Sequence, residues 1–164
     1  MKNFLFIIVL TLGGLTSANA DNTPLYEDFD VLGVLTCEIE GDVRLLVGSD
    51  KFLTCDYEPR GLPDLLQRRA GYVRELQEGI SAQSTDFICW TVLRLHKEGT
   101  DNTKSFNIAG DYRLAAPDTI NEFKLKEHAL IGGRMQMIAL EPRCVAPRAG
   151  ENIAHKVTRF EIAD

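Results

Sequence analysis

The sequence predicts an all-β domain: a single small antiparallel barrel or sandwich of about eight strands, with an N-terminal signal-peptide helix outside the fold. Three observations carry that prediction. Apolar residues recur at every second position in several short runs, the spacing that turns one face of a pleated strand toward a core. Turn-forming residues interrupt those runs roughly every ten positions. One run, Phe87 to Leu95, is rich in β-branched and aromatic residues and short enough to be a strand buried on both faces.

The first segment stands apart. Residues 1–20 have the three parts of an export signal: Lys2, an apolar run from Phe4 to Leu12, and small residues at Ala18 and Ala20. Cleavage is expected between Ala20 and Asp21. The run is shorter than the about 20 residues that cross a bilayer core of ~30 Å, and no Cys stands at the cleavage site to carry a lipid. The expected organisation is a signal peptide over 1–20, an acidic arm over 21–30 and an all-β domain over 31–164. Without the signal, 144 residues remain, enough for one domain with a real core.

From Val31 the alternation begins. Val31, Gly33, Leu35, Cys37 and Ile39 share one face, and Glu38 and Glu40 fall on the other. Gly41-Asp42 suits a type II′ hairpin into Val43, Leu45 and Val47, and Ser49-Asp50 turns the chain again before Phe52 to Tyr57. The first third therefore reads as a three-stranded meander. Across Arg60 to Glu78, Pro63-Asp64 suits a short helical turn, whereas Gly71 and Tyr72-Val73 favour strand. A loop or turn to about Arg69 and a strand to Leu76 are expected. Gly99 to Lys104 is a polar turn. Phe106 to Ala115 is a strand interrupted at Gly110, where a bulge or close backbone approach is expected. Gly132-Gly133 bends the chain. Met135 to Leu140 and Ile153 to Ile162 supply the last strands, with Pro142 and Pro147 confining what lies between to turn or edge geometry.

Composition narrows the partners. After loss of Lys2 with the signal, 17 basic side chains face 24 acidic ones, a net charge of −7. That argues against nucleic acid and against anionic headgroups as bulk electrostatic partners. The basic clusters Arg68-Arg69 and Arg143 to Arg148 are too short to reverse it and read as solvated surface. Four cysteines, Cys37, Cys55, Cys89 and Cys144, all follow the signal. An even number in an exported chain is read as disulfides, and spacing alone leaves three pairings open. No C-x-x-C is present, so neither a thioredoxin-like motif nor a zinc knuckle is encoded.

Catalytic patterns are absent from the chain itself. His96, His128 and His155 are far apart and read as solvent-facing strand ends; a metal site would need the fold to assemble it. Ser49, Ser81, Ser84 and Ser105 lie in no G-x-S-x-G elbow, and Gly132-Gly133 is not part of a phosphate-cradling loop. No catalytic, cofactor-binding or metal-ligating residue is therefore assigned, and no cofactor is expected. Glu38 with Glu40, and Asp56 with Glu58, share strand faces and would suit acid–base chemistry only if burial split their pKa values. A solvated outer face is the better reading. Trp90, the single tryptophan, reads as core.

Several motifs together resemble the small exported proteins, mostly alphaproteobacterial, grouped as domain of unknown function 992. They are Gly33-Val34-Leu35-Thr36-Cys37, Gly48-Ser49, Leu53-Thr54-Cys55, Trp90 in its apolar strand, and Ala109-Gly110-Asp111-Tyr112. Ala129 to Gly133, Ile138-Ala139-Leu140-Glu141-Pro142 and Gly150-Glu151-Asn152 complete the series in order. The resemblance implies a periplasmic all-β protein with a Cys37–Cys55 disulfide and no assigned activity. Cys89 and Cys144 look like additions to that pattern, which would make them the second bridge. Glu122, Lys124, Lys126 and Glu127 also depart from it, in a stretch where the family is rich in small residues. More distantly, Gly110 to the C-terminus looks like small envelope barrels related to lipid-binding SYLF domains. A regular meander would hold Cys37 and Cys55 ~9–10 Å apart across a middle strand, beyond the ~7 Å reach of a disulfide. Either the middle run leaves the sheet or the topology is not a plain meander.

Three functions are compatible with these observations. The first is a non-enzymatic periplasmic β-domain that binds or stabilises an envelope component. The second is a carrier of a small apolar ligand such as a lipid tail, which requires an interior cavity of at least ~300 Å³. The third is a carboxylate-based hydrolase of envelope carbohydrate, which requires two carboxyl groups ~5–9.5 Å apart in a concave cleft.

Overall fold

The computed structural model describes residues 29–39, 51–62, 64–78, 86–95, 107–133, 137–142, 144 and 150–164. Among the described residues eight strands occur in chain order: β1 Phe29–Glu38, β2 Lys51–Pro59, β3 Gln67–Leu76, β4 Phe87–Leu95, β5 Gly110–Leu114, β6 Leu130–Gly132, β7 Ile138–Glu141 and β8 Val157–Ile162. A short helix, α1 Pro117–Glu122, follows β5, and a 3-10 turn, Ala154–Lys156, precedes β8. The strands close into a barrel in the order β1-β2-β3-β8-β5-β6-β7-β4, and each pairing is antiparallel. Two meanders, β1-β2-β3 and β5-β6-β7, are thus joined on one side by β4 and on the other by β8. Closure leaves no sheet edge, which is how small β domains avoid pairing with one another.

The meander drawn from the sequence is corrected here. Residues 43–48, its middle run, lie outside the described residues. β1 pairs directly with β2, and Cys37 stands opposite Cys55 with Cα atoms 4.0 Å apart. The second bridge joins Cys89 to Cys144, and no cysteine is free.

Alternation holds for Leu35 and Cys37 in β1 and for Ile39 just past its end, all turned into the barrel. It fails at Val31. A register shift between Val31 and Gly33 inserts one residue, so Val31 packs on the outer cluster and Leu32 on the inner one. A bulge of this kind resets the two-residue period. β1 also begins at Phe29, inside the stretch read as an acidic arm.

β4 is buried along both faces, as its composition predicts. Its inward residues Ile88, Trp90 and Val92 meet Leu35, Tyr112, Leu140 and Phe160 in the barrel core. Its outward Leu93 and Leu95 meet Phe29, Leu125 and Ala139 in a second cluster, with Ile120 and Phe123 packed on it. The segment carrying α1 therefore covers the outside of β4, β6 and β7. That helix was not expected from the sequence: at six residues, opened by Pro117, it is too short for periodicity to reveal. Gly110 starts β5 rather than interrupting a longer strand, and Ile108 and Ala109 precede it as buried loop. A Cβ on Gly110 would lie 2.8 Å from the Gly133 Cα, which is the close approach the sequence suggested. β7 starts at Ile138, with residues 134–136 outside the described set, and the 3-10 turn takes up the first part of the last predicted strand.

Candidate functional site

The middle of the barrel is solid. Leu35, Trp90, Tyr112, Leu130, Leu140, Val157 and Phe160 have no accessible surface. A void able to admit water would leave some on its lining. Trp90 and Phe160 pack with ring centroids 4.6 Å apart, and the Tyr112 hydroxyl donates to the Ile108 carbonyl. Burial pushes the Tyr112 and Tyr57 phenols above the ordinary tyrosine range. Trp90 Nε1 is buried with no hydrogen-bond partner, so the side chain earlier read as core is core at some polar cost. No ligand space opens among these residues.

Two polar residues of the motifs, Asn152 and Glu141, serve the backbone. Asn152 stands beside β4 where β7 has ended, and its side chain replaces a strand. Its Oδ1 accepts from the Cys89 N–H at 2.9 Å and its Nδ2 donates to the Cys89 carbonyl at 3.0 Å. The same Oδ1 accepts from the Ala154 N–H at 3.1 Å, and the chain on either side brackets Phe87 in a parallel bridge. Glu141, fully buried at the end of β7, accepts from the Lys126 N–H at 2.8 Å and ties down the segment after α1. Gly132 leaves room for β5: a Cβ there would lie 2.0 Å from the Asp111 carbonyl oxygen. These residues close and brace the barrel.

Charge concentrates on the outer face of β3, β8 and β5. Asp111 and Glu161 stand directly opposite one another, as do Arg113 and Arg159. Like charges in opposite positions repel, and opposite charges diagonally across, along β5 and directly across on β3 offset this. Arg113 and Arg159 each donate from Nε to Asp111 at 3.1 Å, Arg74 donates to Glu161 at 2.6 and 2.9 Å, and Arg159 lies 3.7 Å from Glu75. Partial burial works to raise the Asp111 pKa, but the hydrogen bonds and charges of Arg159 and Arg113 outweigh it and hold the carboxyl below its ordinary value. A groove of about 530 Å³, lined by Ala109, Gly110, Asp111, Arg159, Glu161 and Asp164, opens beside this lattice. It is where a carboxylate hydrolase would be sought. Such an enzyme needs one carboxyl kept protonated as an acid, and Asp111 is pulled the other way while Glu161 is tied to Arg74.

The remaining candidates are dispersed. Glu38 and Glu58 are exposed, and Asp56 pairs with Arg68 at 3.3 Å on the outer face. Glu40, His96 and the four serines lie outside the described residues. His128 and His155, far apart in sequence, come together with ring centroids 6.4 Å apart, on turns rather than strand ends. His155 Nδ1 sits 3.1 Å from the Asn152 carbonyl, His128 Nδ1 3.4 Å from Gln77, and Glu151 is taken by Lys156 at 2.8 Å. Among the described residues no three His, Cys, Asp or Glu side chains are placed to hold a metal ion.

One feature of the surface was not singled out from the sequence. At the β2–β3 tip, Leu62, Leu65 and Leu66 are 56, 53 and 55% exposed. The signal was present as three leucines within a five-residue stretch of predicted loop. All three lie in the stretch that reads as a loop or short helical turn up to about Arg69.

With this geometry in view, comparison with known proteins places the chain. It belongs to the family described as protein of unknown function (DUF992), whose profile matches residues 16–163. No curated protein matches it, and no solved structure does.

Proposed function

We propose that this is a periplasmic protein, exported by residues 1–20 with cleavage between Ala20 and Asp21, that works without catalysis. It is a rigid barrel that binds or braces a component of the cell envelope through its outer surface. The observation that carries this reading is the solid interior. With Trp90, Tyr112 and Phe160 filling the space that other barrels use for ligands, recognition is left to the outside. The two disulfides support an oxidising compartment. The filled interior weighs against a lipid carrier, which needs ~300 Å³ or more. The arginine-held Asp111 weighs against a hydrolase.

The test is to express the chain with its own leader, fractionate the cells, and take intact masses with and without reduction. The expected product is periplasmic, starts at Asp21 or within a residue or two, has no free thiol and carries no stoichiometric lipid into an organic extract. A chain starting at Met1 with free thiols overturns the export reading. One equivalent of extractable lipid replaces this proposal with the carrier.

A further inference from the structure

We infer that Arg69 forms an anion site at the mouth of the barrel, taking the carboxylate group of a ligand that enters beside the start of β3. This goes beyond the envelope reading and stands without it, since it concerns the folded barrel wherever it resides. The sequence places Arg69 in a short basic cluster of solvated surface, but the register turns it inward. It stands directly opposite Cys55, a core residue, and two positions before Gly71. A Cβ on Gly71 would lie 2.6 Å from the Cys55 Sγ and from the Phe160 ring, so Gly71 faces the interior. Side chains two apart share a strand face. Gln67, Arg69, Gly71 and Val73 therefore line the inner wall, while Arg68 points out to Asp56.

The Arg69 guanidinium lacks a counter-charge. Nη2 donates to Gln67 Oε1 at 2.8 Å, and Nε is buried with no hydrogen-bond partner. The chain holds 24 acidic side chains, yet among the described residues none pairs with Arg69. Asp56 and Glu58 lie on the outer face of the hairpin, Asp56 with Arg68. Asp164, just past β8, accepts from Asn107 Nδ2 at 2.7 Å, and the Tyr57 hydroxyl donates to the Leu32 carbonyl. An arginine that simply reaches from a rim into water keeps its whole head solvated, whereas here one donor is covered and unanswered. A covered donor on a charged group is costly to leave unpaired, and it marks the place of an acceptor that the chain does not supply.

Charge and geometry say which acceptor. The Gln67 amide oxygen stands where one carboxylate oxygen would. A carboxylate in its place accepts from Nη2 and the adjoining Nε together, the two-pronged pairing a guanidinium favours. One negative charge matches one cation, and the net charge of −6 disfavours a doubly charged phosphate. The way in is on the β8 side. β8 pairs with β3 only from Gly71 onward, and the Ala163 N–H makes the last backbone bond, to the Ala70 carbonyl at 2.9 Å. Among the described residues no strand covers Gln67 and Arg69 on that flank. The group reaches only this rim, and the core of Trp90, Tyr112 and Phe160 stays filled.

NMR of side-chain and backbone N–H groups in the disulfide-bonded protein tests this. Sodium acetate is the probe, and sodium chloride holds the ionic strength constant. The Arg69 Nε–Hε signal, assigned through its bonds to the Arg69 backbone, should move saturably with acetate, together with the amides of Gln67 and Tyr57. Inorganic phosphate should bind several-fold more weakly. Arg69→Gln should abolish the response of those amides, whereas Arg68→Gln, altered on the outer face, should keep it. Gln67→Ala should bind acetate a few-fold more tightly, because the amide oxygen no longer competes for Nη2. Near-UV circular dichroism of each variant should match the wild type, which separates lost binding from lost folding. If Arg69→Gln does not fold, the wild-type signal and Gln67→Ala still decide.

Equal motion of the Arg69 signal with acetate and with chloride overturns the site, as does motion without saturation. An acetate response that survives Arg69→Gln places binding elsewhere and overturns it as well. Weaker acetate binding in Gln67→Ala overturns the displacement of the amide, and phosphate binding tighter than acetate overturns the choice of a carboxylate. A response that appears only in Asp164→Asn overturns the site in favour of an internal pair made by the chain's own carboxylate.

Discussion

Breaking the two disulfides is expected to weaken the barrel by unequal amounts, ordered by the loops they close. Cys37 and Cys55 are 18 residues apart, and Cys89 and Cys144 are 55 apart. In the chain-entropy treatment, opening loops of these sizes releases the unfolded chain by about 3 and about 4 kcal/mol. The loops do not overlap in sequence, so the effects add to ~7 kcal/mol, against the 5–15 kcal/mol of roughly any domain this size. Replacing cysteines alone would confound the measurement, because Cys37, Cys55 and Cys89 are buried and alanine leaves a cavity. The cleaner design uses Cys37→Ala/Cys55→Ala and Cys89→Ala/Cys144→Ala, each unfolded in urea with and without reductant. Within one variant the cavity is common to both arms, and the difference reports the remaining bond. The fall on reduction should be about 4 kcal/mol in the first variant and about 3 kcal/mol in the second. That corresponds to ~16 and ~12 °C in Tm at about 4 °C per kcal/mol. Falls below about 1 kcal/mol, or in the opposite order, would refute the reasoning and point to a denatured chain that keeps the loop ends together without the bond.

Gly132→Ala should cost about 3 kcal/mol or more, because its Cβ meets the backbone of β5. Gly61→Ala, at φ +78° with open space around it, should cost only about 1 kcal/mol for the left-handed conformation; urea titration of both separates steric from conformational cost. Glu141→Ala should cost about 2–3 kcal/mol by orphaning the Lys126 N–H. Glu141→Gln, which keeps an acceptor, should cost less, with the loss read as faster hydrogen exchange after α1. At alkaline pH the barrel should unfold as tyrosines ionise. Tyr57 and Tyr112 are raised above 10.0 by burial, so their contribution is complete below that pH and falls above it, as the unfolded chain releases protons the folded one keeps. The slope is about 1.4 kcal/mol per pH unit for each. Tyrosinate absorbance should show the two titrating only with loss of the fold; smooth titration of all tyrosines near pH 10 in the intact barrel would contradict the burial argument.

The fold class was legible because strand alternation and turn chemistry are local. Leu35, Cys37 and Ile39 announce an inward face whatever their neighbours are, and β4 announces burial on both faces by composition alone. The charged lattice was not legible. Asp111, Arg113, Arg159 and Glu161 are ordinary surface residues until β5 and β8 are laid side by side. Trp90 could be assigned to the core, but its unpartnered Nε1 depends on which groups the other strands bring to it.

By itself, the sequence determined an all-β domain with strands near β1, β2, β3, β4, β5, β7 and β8, the inward face of most of β1, and burial of β4 on both faces. It also pointed to an oxidising destination through residues 1–20 and four cysteines. Tertiary structure alone decided that β1 lies between β2 and β4, that one inserted residue turns Val31 outward, and that the side chain of Asn152 stands in for a missing strand. It also buried Glu141 and raised three leucines at the β2–β3 tip. The physical reason is the range of the interactions. Side-chain alternation follows from backbone geometry within one strand, whereas the choice of neighbour, the register and the closure of a barrel follow from packing summed over residues tens of positions apart.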